Sequence, residues 1–155
     1  MPVEIERKFL LTNNDWHKQV VRSHRIRQGY LGKIDKASVR IRVQGDKANI
    51  NVKSAELGMR RMEYEYAIPQ QEAEEMLEQL CEHPQIDKTR YIVRVGPHTW
   101  EIDEFYGENE GLLVAEIELS REDEEFEKLP WLGKEVTDDA RYYNVNLVRQ
   151  PFKQW

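Results

Sequence analysis

Charged and apolar residues alternate along much of the chain, beginning near its first residue. Glu4, Glu6 and Lys8 occupy alternate positions, and the residues between and beside them are apolar except for Arg7. A β-strand places residues i, i+2 and i+4 on the same face. This spacing therefore predicts a strand with one charged face and one apolar face.

The same alternation recurs in later segments and predicts an α+β, mainly β protein. Eight antiparallel strands are predicted, at about residues 2–10, 25–32, 36–44, 47–54, 60–69, 86–95, 98–106 and 111–120. Gly45-Asp46 and Gly96-Pro97 separate two pairs of these strands with residues that favour tight turns. Eight short strands can close into a barrel, which removes the exposed edges of an open sheet.

Three further segments are predicted to form helices that flank the barrel and cover its apolar outer face. The first spans about residues 13–22. The second begins after Pro69, where apolar residues recur with the spacing i, i+3, i+4, i+7. The third runs from about Thr137, whose hydroxyl suits a helix N-cap, to Arg149.

The charged faces of the predicted strands are segregated by sign. Acidic pairs occur at Glu63/Glu65, Glu101/Asp103 and Glu116/Glu118, whereas Arg40/Arg42, Lys53 and Lys88/Arg90 make other strands basic. A solvent-facing sheet is the alternative for any single strand, but like charges directly opposite each other destabilise a sheet. The segregation favours a concave site, because a polyanion with its own divalent metal would satisfy a wall of carboxylates and a wall of cations together.

Composition narrows the range of functions further. The chain has 155 residues, which predicts a single domain over 1–155, and 39% hydrophobic residues argue against disorder. Its net charge of −6 disfavours non-specific binding to nucleic acid or to an anionic membrane. Cys81 is the only cysteine, which fits a cytoplasmic protein, and its place on the apolar stripe of the second helix indicates packing.

The ordered set of charged motifs resembles the CYTH superfamily, also called triphosphate tunnel metalloenzymes. Glu4-Ile-Glu-Arg-Lys8 matches the ExExK signature of that family. The resemblance continues through Gln28-Gly-Tyr-Leu31, Val39-Arg-Ile-Arg42, Lys53, Glu63, Lys88-Thr-Arg90, Glu101-Ile-Asp103 and Ala115-Glu-Ile-Glu118. It implies a closed eight-stranded antiparallel tunnel that binds a triphosphate with Mg2+ or Mn2+.

The resemblance also implies roles for individual residues. The implied metal ligands are Glu4, Glu6, Asp103, Glu116 and Glu118. The implied phosphate-binding residues are Lys8, Arg40, Arg42, Lys53, Lys88 and Arg90, with Arg141, or less favourably Lys134, closing over the tunnel. Glu63, Glu65 and Glu101 are expected to hold a second metal or to support the basic side chains.

The expected reaction is metal-dependent hydrolysis of inorganic tripolyphosphate to pyrophosphate and phosphate. The short chain leaves little room for a nucleoside or thiamine pocket, so class IV adenylyl cyclase and thiamine triphosphatase follow as alternatives. A polyphosphate-binding module without turnover is the non-enzymatic alternative. Tyr30 is a candidate general base, although it could equally be a packing residue. Lys53, Lys88 or a metal-bound water are the rivals for that role, and a homodimer is left open.

Overall fold

Nine antiparallel strands form one continuous sheet in the computed structural model, which describes residues 2–32 and 35–155. The strands are Val3–Leu11 (β1), Val20–Tyr30 (β2), Ala37–Gln44 (β3), Lys47–Ser54 (β4), Arg60–Ala67 (β5), Ile86–Val95 (β6), His98–Phe105 (β7), Leu113–Leu119 (β8) and Leu132–Glu135 (β9). Their order in the sheet is β5-β4-β3-β2-β6-β7-β8-β1-β9.

Pairing between β1 and β5 closes the first eight strands into a barrel, which confirms the predicted fold. Val3 lies opposite Met62 and Ile5 opposite Arg60 on this seam. The rest of the same edge of β1 pairs with β9, which was not predicted. Only four residues form β9, and they include Gly133, where a Cβ atom would lie 2.9 Å from the carbonyl oxygen of Leu10.

The predicted helix at 13–22 is wrong, because only a 3-10 turn at Asp15–Gln19 forms there. The next residue, Val20, already begins β2, which pairs with β6 from Val20 to Gln28. Hydrogen bonds of this long ladder, together with the burial of Trp16, outweigh the helical spacing of the segment. The second helix is confirmed as Gln70–Gln79 (α1).

The predicted helix at 137–149 is also wrong in extent. The structure has a 3-10 turn at Ala140–Tyr142 and a single α-helical turn at Asn144–Leu147 (α2), with Tyr143 extended between them. The Tyr143 hydroxyl donates a hydrogen bond to the Thr137 carbonyl at 2.7 Å and accepts one from the Gly58 amide at 3.0 Å. These two contacts hold Tyr143 away from the path of a continuous helix.

The outer face of the barrel is covered from two sides. Ala73 and Leu77 of α1, with Cys81 just beyond it, pack on Ile41 and Val43 of β3. On the opposite side, Trp16, Trp131 and Phe126 cover apolar residues of β1, β7 and β8, including Phe9 and Trp100. A loop segment rather than a helix therefore supplies much of this cover. No helix of the described residues is long and apolar enough to cross a membrane.

Inside the barrel, the inward-facing positions change from charged to apolar along each strand. Glu101, Asp103 and Phe105 follow one another on β7, and Glu118, Glu116 and Val114 on β8. The apolar positions form the inner apolar cluster, which also takes in the C-terminal segment (residues 137–148): Tyr30, Ile86, Phe105, Leu112, Val114, Val136, Tyr142, Leu147 and Val148. One end of the barrel is therefore filled by packed side chains, and the charged residues surround the remainder.

We expect Gly29→Ala to destabilise the protein by about 1–3 kcal/mol, the usual cost of overpacking. A Cβ atom at Gly29 would lie 2.9 Å from Cβ of Cys81 and 3.1 Å from Cδ2 of Leu77, so α1 would have to move. Ser23→Ala, at an exposed position of the same strand, is the control and should have little effect. Denaturant unfolding measures both; equal midpoints for the two variants would contradict the tight α1 contact.

Candidate functional site

A cavity of about 200 Å³ occupies the charged part of the barrel interior. Its charged lining residues are Glu4, Glu6, Glu63, Glu65, Glu101, Glu116 and Glu118, together with Lys8, Arg40, Arg42, Lys53, Arg61, Lys88 and Arg90. The remaining lining residues are Tyr30, Ser38, Asn51, Tyr143, Asn144 and Val145. Most of the residues predicted from the sequence are thus brought together around one space.

The order of strands separates most charges of this cavity by sign, with Lys8 of β1 and Arg61 of β5 as the exceptions. The neighbouring strands β7, β8, β1 and β5 carry its seven glutamates, which we call the acidic wall. The neighbouring strands β4, β3, β2 and β6 carry Lys53, Arg40, Arg42, Lys88 and Arg90, which we call the basic wall. Ion pairs join the walls at both borders, with Lys53 to Glu63 at 3.3 Å and Arg90 to Glu101 at 3.2 Å.

Like charges face each other across the ladders of the acidic wall. Glu6 lies directly opposite Glu118, and Glu101 lies directly opposite Glu116. Burial and the neighbouring Glu116 and Glu4 raise the pKa of Glu6 well above its ordinary value. Burial, with Glu4 and Glu101 nearby, also raises the pKa of Glu118. In the part of the chain that the structure describes, neither Glu6 nor Glu118 has a basic nitrogen within 4.0 Å, whereas Glu101 pairs with Arg90 and Glu116 with Lys8.

The acidic wall fits a divalent cation that is shared with a ligand. Within residues 2–32 and 35–155, no three acidic, histidine or cysteine side chains are already assembled around a common metal position. Mg2+ usually binds one or two carboxylates, several waters and substrate phosphates rather than a cage of protein ligands. Glu6 and Glu118 meet this requirement, because their raised pKa values mark carboxylates that a cation would stabilise.

Asp103, predicted among the metal ligands, lies behind the basic wall instead. It is fully buried and accepts hydrogen bonds from Lys88 Nζ at 2.8 Å and from Arg90 Nε and Nη2 at 2.8 and 2.9 Å. Burial opposes ionisation of Asp103, but Arg90 and Lys88 outweigh it and lower the pKa of this carboxyl to about 2. Asp103 is not among the residues that line the cavity.

Lys88 is the most deeply buried cation of the basic wall, with 1% of its surface exposed. Burial, together with the positive charges of Arg90 and Arg42, lowers the pKa of Lys88 to about 7 despite the neighbouring Asp103. Its ammonium also donates to Oδ1 of Asn144 at 3.0 Å.

Three arginines of the cavity, Arg40, Arg42 and Arg61, have no carboxylate within 4.0 Å among the described residues. Burial, with Arg40 and Arg90 nearby, lowers the pKa of Arg42 to about 9. The Nε atom of Arg40 is buried without a hydrogen-bond partner. These guanidinium groups provide donors and positive charge for an anion.

Arg61 was missed by the sequence analysis, although the alternation contains it. It lies two residues before Glu63 on β5 and therefore shares the inward face of Glu63 and Glu65. Its guanidinium lies 4.8 Å from the centre of the Tyr143 ring. On the inward face of β5, Arg61 is the one basic residue beside two glutamates, so the strand was assigned as acidic.

Arg141 and Lys134 do not close over the cavity. The Arg141 side chain is 57% exposed and pairs with Asp139 at 2.7 Å, and Lys134 is exposed on β9. Tyr143 and Asn144 line the cavity in their place. The break in the predicted C-terminal helix explains the difference, since it changes which face of the segment points inward.

Tyr30 and Lys53 both line the cavity but differ in their surroundings. Tyr30 is 4% exposed and belongs to the inner apolar cluster, so it packs as well as faces the cavity. Lys53 Nζ lies 2.9 Å from Glu4 and 3.3 Å from Glu63. Lys8 is held in a similar way by Glu116 at 2.8 Å.

The chain belongs to the CYTH domain family, whose model matches residues 2–150. It is 49% identical, over all 155 of its residues and 99% of the relative, to an inorganic triphosphatase of Acetivibrio thermocellus. It is 39% identical to an inorganic triphosphatase of Nitrosomonas europaea, over 94% of this chain and 96% of that protein. A crystal structure of an inorganic triphosphatase aligns with a TM-score of 0.67 and 35% identity, covering 94% of this chain and 97% of the other.

We expect Glu6→Gln to stabilise the metal-free protein at pH 7 by about 0.5–2 kcal/mol, the usual gain from a stabilising substitution. The pKa of Glu6 is raised in the folded state, so ionising this carboxyl costs stability. The protonated Glu6 carboxyl contributes its full stability below the pKa that Glu6 has in the unfolded chain. This contribution is lost as the pH rises through the higher pKa of Glu6 in the folded protein. The gain from the substitution should therefore grow between pH 4 and pH 8, as measured by denaturant unfolding in a chelator.

Glu116→Gln is the matched control with the opposite sign. Burial favours a raised pKa for Glu116, but the positive charges of Lys8 and Arg90 outweigh it and lower this pKa well below its ordinary value. Its ionised form stabilises the fold above the unfolded pKa, and this contribution is lost as the pH falls. We expect Glu116→Gln to destabilise the protein at pH 7; the same sign for both variants would show that the two carboxylates are not electrostatically distinct.

Proposed function

We propose that this protein hydrolyses inorganic tripolyphosphate to pyrophosphate and phosphate with Mg2+ or Mn2+. The observation that carries the proposal is the pairing of the two walls: arginines without acidic partners face carboxylates with raised pKa values inside a closed barrel. A linear triphosphate supplies negative charge to the arginines, and its metal supplies positive charge to the carboxylates. The similarity to two inorganic triphosphatases supports the same activity.

The size and lining of the cavity favour a substrate that is little more than a phosphate chain. Pockets for drug-sized ligands span about 300–1,000 Å³, whereas this cavity measures about 200 Å³. Its only aromatic linings among the described residues are Tyr30 and Tyr143, which are 4% and 7% exposed and leave little ring surface for a base to stack on. These features rank adenylyl cyclase and thiamine triphosphatase below tripolyphosphate hydrolysis.

The arginines without acidic partners bind the substrate in this proposal. Arg40, Arg42 and Arg61 donate to phosphate oxygens, in bidentate fashion where the geometry allows. Lys8 and Arg90 remain paired with Glu116 and Asp103 and add positive charge from fixed positions. Lys53 joins the two walls through ion pairs with Glu4 and Glu63, so each of these glutamates also helps to hold the Lys53 ammonium in place.

Glu4, Glu6 and Glu118, with Glu116 beside them, would hold the divalent metal. A metal held by these residues would supply positive charge to neutralise the phosphate oxygens of the substrate. Asp103 holds Lys88 and Arg90 in place rather than contacting metal. Glu65 and Glu101 line the acidic wall and are the remaining candidates for a second ion.

Lys88 is the residue that we assign as general base. A base works best when its pKa lies near the operating pH, and the pKa of Lys88 is about 7. The neutral amine accepts a proton from water, the water oxygen bonds to the terminal phosphorus, and the bond from that phosphorus to the bridging oxygen breaks. Pyrophosphate is the leaving group.

We expect Arg42→Ala to raise KM for tripolyphosphate and to lower kcat/KM by about 10–100-fold. Hydrogen bonds to charged groups contribute about 1.5–3 kcal/mol, which corresponds to this range. Arg141→Ala is the matched control, because Arg141 pairs with Asp139 outside the cavity. Phosphate release in the presence of Mg2+, Mn2+ or a chelator measures both effects.

Two results would oppose the proposed activity. Tight tripolyphosphate binding by calorimetry, with no phosphate release under any metal condition, would instead identify a binding module. Cyclic AMP as the main product from ATP would identify a cyclase. Equal losses in Arg42→Ala and Arg141→Ala would contradict the position of the binding site.

We expect Lys88→Met to lower kcat by about 10²–10⁴-fold, the usual contribution of a general base. The rate of the native protein should rise as the pH passes about 7, where Lys88 becomes neutral, and this limb should disappear in the variant. Tyr30→Phe is the comparison and should retain kcat within a few-fold. A large loss of kcat in Tyr30→Phe with an intact pH limb in Lys88→Met would transfer the role to Tyr30.

A further inference from the structure

Two side-chain amides connect cations of two different strands beneath the cavity. Arg42 Nε donates to Oε1 of Gln28 at 2.9 Å, and Nε2 of Gln28 donates to Oδ1 of Asn144 at 2.9 Å. The same Asn144 oxygen accepts from Lys88 Nζ at 3.0 Å. The amide bridge (Gln28 and Asn144) therefore links Arg42 of β3 to Lys88 of β6.

The chemistry of its two ends determines the orientation of both amides. In their charged forms, arginine and lysine act as hydrogen-bond donors and cannot accept. Gln28 must therefore turn its oxygen to Arg42, which leaves its nitrogen to donate to Asn144. Asn144 must present its oxygen to both Gln28 and Lys88, so both acceptor positions of this oxygen are occupied.

The bridge also restricts Lys88. A lysine ammonium has three N–H donors, and here Asp103 and Asn144 take two of them at 2.8 and 3.0 Å. Gln28 is 0% exposed and Lys88 1% exposed, so water cannot readily replace these contacts. Asp103 alone would hold the ammonium from one side only, whereas the two acceptors together fix its position relative to Arg42.

Asn144 comes from the C-terminal segment and not from the barrel. Its neighbours hold the backbone there independently of its side chain: Tyr143 bonds to Thr137 and Gly58, and Leu147 is fully buried in the inner apolar cluster. The amide of Asn144 is therefore not needed to dock the segment. Its oxygen instead accepts hydrogen bonds from Gln28 and Lys88.

We propose that Asn144 is a positioning residue, which acts through Lys88 and Gln28 to hold the general base and a phosphate-binding arginine in register. This inference rests on the proposed hydrolysis of tripolyphosphate. It gives one side chain of the C-terminal segment a role in the reaction, and it assigns Gln28 the same role from the barrel side.

Four variants of the full chain test the bridge: Asn144→Ala, Asn144→Asp, Gln28→Ala and the double variant Asn144→Ala/Gln28→Ala. Loss of groups that orient a functional residue typically costs about 10–100-fold, and we expect this loss in kcat of Asn144→Ala. Asn144→Asp keeps the acceptor oxygens, but its negative charge beside Lys88 favours the protonated amine. We therefore expect most of kcat to be recovered only on the high-pH plateau, with the rising limb of the pH profile moved to higher pH and KM raised. The double variant should cost less than the product of the two single losses, because coupled residues are not additive.

Asn146→Ala is the matched control within the segment. Its amide donates to the carbonyl of Ala140 on the exposed side, away from the cavity. We expect it to change thermal stability without changing kcat or KM. A purely structural role for Asn144 would instead lower stability in both alanine variants and leave kcat unaltered, and that result would overturn the proposal.

Calorimetric titration with tripolyphosphate separates this inference from the proposed function. If the native protein releases no phosphate, the proposed function fails, and the bridge is then judged by binding of tripolyphosphate. A loss of affinity of about tenfold or more in Asn144→Ala supports the bridge, and an unchanged affinity overturns it. If the native protein turns over and Asn144→Ala keeps native kcat and KM, the positioning role alone fails. Should Asn144→Ala not fold, Asn144→Asp decides, since a loss of kcat on the high-pH plateau as large as that of Gln28→Ala would contradict the rescue.

Discussion

The short pairing between β1 and β5 is the constraint on which the rest of the site depends. Three residue pairs, from Val3–Met62 to Ile5–Arg60, convert an open sheet into a barrel. Without this seam, Glu4 and Glu63 would lie on opposite edges of the sheet, and Lys53 could not contact both. Closure also removes water from around the charges, which strengthens every electrostatic interaction inside.

The interior combines charges that stabilise the fold with charges that oppose it. On the same ladder, Lys8 lies opposite Glu116 and forms an ion pair, whereas Glu6 lies opposite Glu118, and burial with other glutamates raises the pKa of both. A barrel selected only for stability would pair all four residues. Under the proposed function, the carboxylates and arginines without such a partner would be the positions that bind metal and phosphate, at the expense of stability.

Strand alternation predicted the barrel and most of its cavity, because a period of two places residues on the same face without further information. The same period contains Arg61, which was overlooked. Other features depend on tertiary contacts that no local pattern encodes: β9 forms only because β1 extends beyond β5, and Tyr143 interrupts the C-terminal helix because it bonds to Thr137 and Gly58. The role of Asp103 was equally hidden, since alternation shows that it faces inward but not that Lys88 and Arg90 cover it.

The inner apolar cluster makes the two ends of the barrel different. Phe105, Val114 and Leu147 fill one end, while Glu65 and Glu118 are exposed at the acidic wall. A linear anion that enters from the exposed side must therefore advance with one terminus first and stop where the apolar residues begin. In the proposed reaction its leading phosphate would be the one that reaches Lys88, so the protein would remove units from chain ends rather than cut in the middle. The detached phosphate would then lie deepest and would leave only after the larger fragment.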